Sequence, residues 1–259
     1  MNGQSYEIVA GRDNARLLLI CDHASNSIPA DYGTLGLQKD QFARHIAYDI
    51  GARNVTLRLA QALGAPAVLS TFSRLLIDPN RGADDPTLVM RISDGAIVPG
   101  NARIDAAEVE HRRRTYWQPY RTAIASTIEA ILEKGIVPVI VSVHSFTPVW
   151  KGVPRPWDIG ILWDKDPRLA VPVIDQLHVQ GLRVGNNEPY DGALKGDTLH
   201  DLATLRGLAN LLVEFRQDLV ADDEGAERWT QIFLRALQPA LQAPELSVQR
   251  FYGSRATGA

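Results

Sequence analysis

Short apolar runs alternate with longer amphipathic segments along the chain. Runs of about six residues with mostly apolar or β-branched side chains are typical of strands buried on both faces of a sheet. Such runs occur at 16–21, 66–71, 73–78, 137–144, 158–163 and 210–217. The clearest is VPVIVSVH at 137–144, and NLLVEFRQ at 210–217 is the last. The pattern therefore predicts a sheet whose strands are spread over most of the chain.

Amphipathic segments between these runs favour helices. The predicted helices extend from about 40 to 63, from about 105 to 134, onwards from Pro167, and from about 222 to 241. Gly64 and Gly135 follow the first two, and a glycine commonly ends a helix in this way. Segments rich in Gly, Pro, Asn or Asp are predicted as loops, at 82–104, 147–158 and 183–192.

Strands that alternate with helices are typical of a three-layer α/β/α domain. We predict one such domain over residues 1–259, with a mixed, mostly parallel sheet. In open sheets of this kind, ligands bind beyond the carboxyl ends of the strands. Polar side chains follow the apolar runs directly at Asp22 and His23, at 78–81, at His144, and at Glu214 and Arg216. These positions are the first candidates for a functional site.

The charge and the cysteine content narrow the class of protein. The formal net charge is −3, so nothing in the composition favours nucleic acid as a partner. The single cysteine, Cys21, excludes an internal disulfide and fits a reducing compartment. No signal peptide is visible, and the apolar runs are far shorter than the roughly 20 residues that span a bilayer. These features predict a cytoplasmic protein with no membrane partner.

Two histidines come at the ends of predicted strands. His23 follows RLLLIC and one aspartate, and His144 is the last residue of VPVIVSVH. A histidine in this place is commonly a structural residue, but imidazole is also a good zinc ligand and strand ends hold it rigidly. Catalytic zinc has three protein ligands and an open position for water. If His23 and His144 bind a metal ion, a third ligand is needed.

Glu214 is a carboxylate within an almost purely apolar strand, which is unfavourable unless the group is paired or functional. Arg216 is two residues further on and leaves the same face of the strand. Two interpretations stay open: an internal ion pair, or a general acid–base group beside a substrate-binding arginine. Arg74 and Arg81 flank another apolar run, and arginine is well suited to binding carboxylates. Most exposed arginines, however, are merely solvated.

Six motifs in a particular order point to a known family. They are CDHASNSIP, RHIAYDIGA, STFSRLLIDPNR, VSVHSFTP, NNEPYDG and LVEFRQDL, within about residues 16–220. The chain resembles the N-formylglutamate amidohydrolase family, which is similar to the zinc carboxypeptidases and aspartoacylases. The resemblance implies a carboxypeptidase-like fold and a zinc ion. It also implies hydrolysis of N-formyl-L-glutamate to formate and L-glutamate, a reaction of histidine degradation.

The resemblance also implies roles for residues of the reacting centre. His23 and His144 match the two zinc histidines, and Glu214 matches the glutamate that acts as general base and then general acid. Arg74 resembles an arginine that polarises the scissile carbonyl or binds a second carboxylate.

The remaining candidates concern the substrate, a small N-acyl amino acid. Asn80 and Arg81 resemble the Asn-Arg pair that holds a substrate carboxylate in the carboxypeptidase relatives. Arg216 and His200 are further candidates for substrate binding. The position of His200 is by itself also typical of an ordinary surface or helix histidine.

The third metal ligand departs from the pattern of the relatives. Carboxypeptidases and aspartoacylases carry a glutamate three residues after the first histidine, where this chain has Asn26, a poor ligand for zinc. We predict that Asp49 takes this place, from a helix on which His45 lies one turn earlier and orients it. Asn26 is the alternative ligand. Asp49 paired only with His45 or an arginine, and Asp22 as the ligand, are the other possibilities.

Two other functions fit the same residues. The same machinery could act on another N-acyl amino acid or a small peptide, because acyl specificity depends on pocket volume. A zinc or acidic-ligand binding module without catalysis is a different class. Glu214 argues against that class, since binding alone needs no proton carrier. The sequence does not predict an oligomeric state.

Overall fold

The computed structural model describes residues 4–256. Within that range the strands, β1 to β11 in chain order, are Tyr6–Val9, Leu17–Cys21, Ala67–Ser70, Ile92–Ser93, Ala96–Ile97, Val139–Phe146, Val149–Trp150, Val153–Pro154, Ile159–Leu162, Val184–Asn186 and Asn210–Arg216. The α-helices, α1 to α7, are Ala52–Leu63, Ala106–Arg112, Gln118–Leu132, Pro167–Val179, Thr198–Leu202, Gln217–Val220 and Asp223–Ala240.

Seven strands form one mixed sheet in the order β1-β3-β2-β6-β11-β9-β10. β1 runs antiparallel to β3, and β11 runs antiparallel to β9, whereas the other neighbours are parallel. β6 and β11 lie side by side at the centre, with His144 opposite Glu214. The predicted mixed, mostly parallel sheet is confirmed.

Two apolar cores cover the two faces of this sheet. One face packs against α1, α4 and α7, through residues such as Leu59, Val173 and Phe233. The other packs against α3, through residues such as Tyr120 and Ile124. In β2, successive side chains alternate between the two cores, as the pleat of a strand requires. The predicted three-layer α/β/α arrangement is confirmed.

Most of the predicted strands form, but the run at 73–78 does not. Leu75, Leu76 and Ile77 are fully buried, yet they lie in a turn in which Leu76 N–H donates to Ser73 O. An apolar run indicates burial and does not by itself distinguish a strand from a packed turn. Conversely, the predicted loop at 183–192 contains β10, which pairs with β9.

The predicted helix over 40–63 is wrong in its first half. A short 3₁₀ turn covers Lys39–Ala43, and the α-helix begins only at Ala52. Gly51 has φ 82° and a Cβ at that position would lie 2.2 Å from the Val220 carbonyl oxygen, so this turn requires glycine. Helix propensity is a weak preference, which contacts of residues 44–51 with the strand ends override. Gly64 ends the helix as predicted, with φ 60°.

The other predicted helices are found with local changes. The one over 105–134 consists of α2 and α3, joined by a π-helical turn at Arg113–Trp117. The helix over 222–241 is α7, and the Asp222 side chain accepts a hydrogen bond from Gly225 N–H at its start. The predicted loops at 82–104 and 147–158 each carry a small hairpin, β4–β5 and β7–β8.

Candidate active site

A cavity of about 430 Å³ opens beyond the carboxyl ends of β2, β6 and β11. Its position follows the rule for open α/β sheets. Many of the residues predicted for the site line it, together with the loop Asp191–Leu194. The lining includes His23, His45, Asp49, Arg74, Asn80, Arg81, His144, Phe146, Thr147, Tyr190, Asp197 and Glu214.

Three buried side chains meet at its inner end. His23, Asp49 and His144 each offer one ligand atom, and these atoms lie within 4.8 Å of one another. Asp49 Oδ2 is 2.8 Å from His144 Nδ1 and 3.4 Å from His23 Nδ1. The structure therefore brings together the three residues predicted as metal ligands. Asn26, the alternative, is not among the residues that line the cavity, and its amide Nδ2 donates to the Phe42 carbonyl at 2.8 Å.

Asp49 reaches this place from an irregular segment, not from a helix. Its backbone N–H donates to His23 O at 3.0 Å, and Ser145 N–H donates to its Oδ2 at 3.3 Å. Ser145 Oγ also donates to the Ile50 carbonyl at 2.7 Å. The predicted orienting role of His45 is wrong, because the bond that orients Asp49 comes from Ser145, and His45 Nε2 lies 3.4 Å from Asp94.

Each metal-site histidine contacts a second, fully buried carboxylate. His23 Nε2 lies 2.7 Å from Asp78 Oδ1, and His144 Nε2 lies 3.1 Å from Asp22 Oδ2. A carboxylate on one ring nitrogen keeps the proton there and leaves the other nitrogen free for a metal ion. Sequence reasoning did not identify this role, although both aspartates directly follow or end apolar runs.

Of the two carboxylates, Asp22 and Asp78, Asp22 accepts hydrogen bonds from more side chains. It accepts hydrogen bonds from the hydroxyls of Thr198, Ser142 and Tyr120 at 2.6, 2.9 and 3.1 Å. Burial is the largest influence and opposes its charge, but the hydrogen bond from His144, the charges of His144 and His23 and the hydrogen bond from Thr198 together outweigh burial and lower the pKa of Asp22. The carboxylate is thus held ionised within the core.

The buried carboxylates and histidines at the inner end stabilise one another's charged forms. Burial opposes ionisation of Asp49, but the nearby His23 and His144 outweigh it and lower the pKa of Asp49 strongly. Burial also opposes the charged form of His144, yet its bonds to Asp22 and Asp49 raise its pKa well above the usual value. A positive charge between these carboxylates is therefore favourable. Two imidazole nitrogens and one carboxylate oxygen are a donor set that suits a divalent transition metal.

Glu214 lies next to this cluster on β11, directly opposite His144. It is 6% exposed, and its Oε2 is buried without a hydrogen-bond partner among residues 4–256. Burial, with a further contribution from Asp49 against the opposing effect of His144, raises the pKa of Glu214 to about 8. The alternative of an ion pair with Arg216 is wrong, because Arg216 binds Asp158 and Asp218.

The predicted substrate-binding residues divide into two groups. Arg74, Asn80 and Arg81 line the cavity. Arg74 is tied to Asp78 at 2.7 Å and lies 3.6 Å from Asp49. Asn80 Oδ1 accepts a hydrogen bond from Thr198 N–H at 3.1 Å.

Arg216 and His200 lie outside the lining. The Arg216 guanidinium turns towards Asp158 at 3.1 Å. His200 is in α5, where its Nδ1 is 2.9 Å from Asp201 Oδ1 and lies 3.2 Å from Gly196 N. The cavity wall instead includes Tyr190 and the Asp191–Leu194 loop. Both belong to the NNEPYDG motif or directly follow it, and loop composition alone does not predict which loop lines a cavity.

The fold and the cluster together define an α/β protein with a buried His-Asp-His candidate metal site beside a free carboxylate. The model of the N-formylglutamate amidohydrolase family matches residues 15–221, and the chain belongs to this family. Its members are amidohydrolases. A comparison with curated proteins found no match. Within residues 4–256 we find no helix with the length and apolar character needed to cross a membrane.

Solved structures share the fold. A gene product of Agrobacterium tumefaciens is 33% identical with a TM-score of 0.88, over 93% of this chain and 96% of that chain. The N-formylglutamate amidohydrolase of Ralstonia eutropha JMP134 is 21% identical with a TM-score of 0.68, over 93% and 99%. A bacteriophage poly-γ-glutamate hydrolase is 10% identical with a TM-score of 0.50, over 93% and 90%. The last two similarities concern the fold alone.

Proposed function

We propose that this protein is a zinc-dependent amidohydrolase that converts N-formyl-L-glutamate and water to formate and L-glutamate in the cytoplasm. The observation that carries the proposal is a buried His-Asp-His cluster beside Glu214, whose Oε2 has no partner among the described residues. Membership of the N-formylglutamate amidohydrolase family supports the reaction class. His23, Asp49 and His144 would hold the zinc ion, and Asp78 and Asp22 would orient the two imidazoles.

Zinc bound there would polarise the formyl oxygen and lower the pKa of water. Glu214 Oε2 takes a proton from the water whose oxygen bonds to the formyl carbon. It then delivers that proton to the amide nitrogen as the C–N bond breaks. The products are formic acid and the amine, and the acid then gives up its proton to the amine, so that formate and the ammonium form of L-glutamate leave and Glu214 is again in its initial state. A buried carboxyl group with a raised pKa suits both halves of this transfer.

Arginines complete the site. Asp78 holds the Arg74 guanidinium at 2.7 Å, with one nitrogen 3.3 Å from His23 Nδ1. From this position Arg74 stabilises the negative charge that develops on the formyl oxygen. Asn80 and Arg81, which also line the cavity, bind the α-carboxylate next to the scissile bond.

The proposal is tested with Glu214→Gln, which preserves shape but cannot carry the proton. Turnover of N-formyl-L-glutamate should fall roughly 10²–10⁴-fold, while zinc content measured by atomic absorption stays near that of the wild type. Glu133→Gln, on an exposed residue after α3, is the matched control. Wild-type turnover in Glu214→Gln would assign this glutamate a structural role.

The acyl group and the amino acid need a separate experiment. Initial rates on N-formyl, N-acetyl and larger N-acyl derivatives of glutamate, aspartate and leucine would define the preference. We expect N-formylglutamate to be cleaved fastest, and only after zinc is present. Full activity in metal-free protein, or equal rates on glutamate and leucine derivatives, would contradict the proposal.

A further inference from the structure

Arg155 follows the β7–β8 hairpin, and it is not itself a lining residue but contacts Phe146, Thr147 and Tyr190, which line the cavity. These contacts put it at the rim. Its guanidinium carbon lies 5.0 Å from the ring centre of Tyr190, 5.4 Å from that of Trp150 and 5.7 Å from that of Phe146. Aromatic rings around a guanidinium stabilise the cation and restrict its orientation. Arg155 is thus a positioned charge and not a freely moving surface side chain.

Its hydrogen bonds leave that charge without a counter-ion. Nη1 donates to the Thr147 carbonyl at 3.4 Å, to Thr147 Oγ1 at 3.3 Å and to the Tyr190 hydroxyl at 3.1 Å. Among residues 4–256, no carboxylate oxygen lies within 4.0 Å of a guanidinium nitrogen of Arg155, the distance that defines an ion pair. Thr147, Phe146 and Tyr190 all line the cavity. The unpaired guanidinium is therefore held by the cavity wall.

Of the other charged side chains around the cavity, some have an ion-pair partner among residues 4–256 and others have none. Arg74 is neutralised by Asp78 and Asp49, and Asp191 is paired with Arg255 at 2.7 Å. Arg81 binds only the Thr87 hydroxyl and the Asn80 carbonyl, so in the described chain it too has no acidic partner. Two guanidiniums from different segments are left to bind anions. A ligand with two carboxylates would satisfy both.

We propose that Arg155 is the specificity-determining residue that binds the side-chain carboxylate of the substrate, while Asn80 and Arg81 bind its α-carboxylate. This inference rests on the proposed function and deepens it by naming the residue that distinguishes a dicarboxylic substrate from its neutral analogue. Arg155 lies at the rim, which suits the carboxylate further from the scissile bond. Because Nη1 is engaged by Thr147 and Tyr190, the edge formed by Nε and Nη2 offers two parallel N–H groups to a carboxylate, and an amide in the same place accepts only one of them.

The test compares N-formyl-L-glutamate with N-formyl-L-glutamine, which differ only in that distal group. The wild type should prefer the glutamate derivative roughly 10–100-fold in kcat/KM, from the strength of a charge-assisted bidentate pair. Arg155→Gln should reduce this preference to within about threefold, because the glutamate derivative loses a charge-assisted bidentate pair whereas the glutamine derivative loses a single hydrogen bond. Arg81→Gln is the contrast, since it should slow both substrates alike.

An unchanged preference in Arg155→Gln, or an equal loss on both substrates, would overturn the inference. If Arg155→Gln does not fold by circular dichroism, Arg155→Lys replaces it: lysine keeps the charge but not the planar fork, and an unreduced preference would overturn the inference. If the wild type hydrolyses neither compound, the proposed function has failed. The Arg155 inference is then tested by calorimetry of L-glutamate and L-glutamine binding to the zinc-loaded protein, where equal affinities would overturn it.

Discussion

The inner end of the cavity and its rim are built in different ways. At the inner end, His23 follows β2 and His144 lies in β6, and each ring contacts carboxylates on both sides. At the rim, Arg155 and Tyr190 come from a hairpin and a loop, and Arg155 is only half-buried. Both histidines at the inner end are paired on both ring nitrogens, and Glu214 Oε2 is left without a partner beside them among residues 4–256. At the rim it is the cations that keep bonding capacity for a ligand.

Because of this difference, we expect the inner end of the cavity to carry the catalytic chemistry and the rim to select the substrate. Groups fixed by strand ends and buried hydrogen bonds can hold a metal ion and a proton carrier at constant distances. Groups on loops can change without disturbing that geometry, which is why binding specificity is commonly found there. Substitutions at the inner end should therefore alter metal binding and turnover, and those at the rim should alter KM and selectivity.

Removing the carboxylate at the centre of the inner end should have the largest effect. Asp49→Ala takes away one of three predicted ligands and leaves two imidazoles, so zinc affinity should fall by more than roughly 100-fold. Competition with a chromophoric chelator measures it. Asn26→Ala is the matched control and should change the affinity little, because Asn26 Nδ2 bonds to the Phe42 carbonyl. The reverse order would identify Asn26 as the ligand.

Asp22→Asn tests whether the carboxylate that contacts the ring of His144 supports metal binding. It removes the charge that His144 Nε2 faces at 3.1 Å but keeps the shape of the side chain. Loss of such an outer carboxylate typically weakens metal binding 10–100-fold. The same chelator titration measures it, with Asp158→Asn, which is remote from the cluster, as control. Wild-type affinity in Asp22→Asn would show that this carboxylate only fills the core.

Asp197 stands between the two regions, since it lines the cavity and caps α5 by accepting from His200 N–H. Burial, with a further contribution from Asp22 against that opposing hydrogen bond, raises the pKa of Asp197 from 3.8 to about 7. Between these values the folded state binds more protons than the unfolded state, so stability falls as pH rises. Asp197→Asn removes this dependence, and asparagine still caps the helix.

The wild type should therefore lose about 1–2 kcal/mol more unfolding free energy than Asp197→Asn between pH 5 and pH 7. Urea unfolding of metal-free protein at several pH values measures this difference. Asp105→Asn alters a cap of the same geometry on α2, but there the residue is exposed. Parallel curves for the wild type and Asp197→Asn would show that Asp197 ionises in the folded protein as readily as in the unfolded chain.

The smallest effect is expected where the C-terminal segment supports the rim. Arg255 lies outside residues 15–221, which match the family model, whereas Asp191 lies within them. Arg255 donates two hydrogen bonds to Asp191, at 2.7 and 2.9 Å. Asp191 begins the loop that lines the cavity, so Arg255→Ala should loosen this loop. Because the pair is largely exposed, its contribution is below about 1 kcal/mol, and KM should rise roughly two- to fivefold with kcat unchanged.

Arg250→Ala is the control for that variant, since Arg250 stacks on Tyr252 in the same segment without contact to the loop. Limited proteolysis of the 187–197 loop gives a second measurement, and only Arg255→Ala should be cut faster. A fall in kcat without a change in KM would show that the segment acts on the inner end instead.

Two residues of the candidate site have surroundings in the structure that differ from the local pattern on which their prediction rested. Asp49 was predicted as a ligand on a helix face shared with His45, but it joins the cluster from a turn held by His23 O and Ser145 N–H. Arg216 was expected beside Glu214 from the two-residue period of a strand. It lies at the end of β11, where Asp158 draws its side chain away.

The order of apolar and polar residues was enough to predict the layer architecture and the central strands, because buried strands need continuous apolar runs and the chain supplies them at β2, β6 and β11. It also determined that His144 and Glu214 end or interrupt such runs, which identified them as candidates. Which polar groups meet, by contrast, depends on the folded arrangement of the chain. The alignment of His144 with Glu214, the approach of Asp49, and the unpaired Arg155 depend on strand register and on loop contacts between distant residues. Local patterns carry no information about these contacts, since burial and hydrogen bonding are satisfied only after the chain has folded.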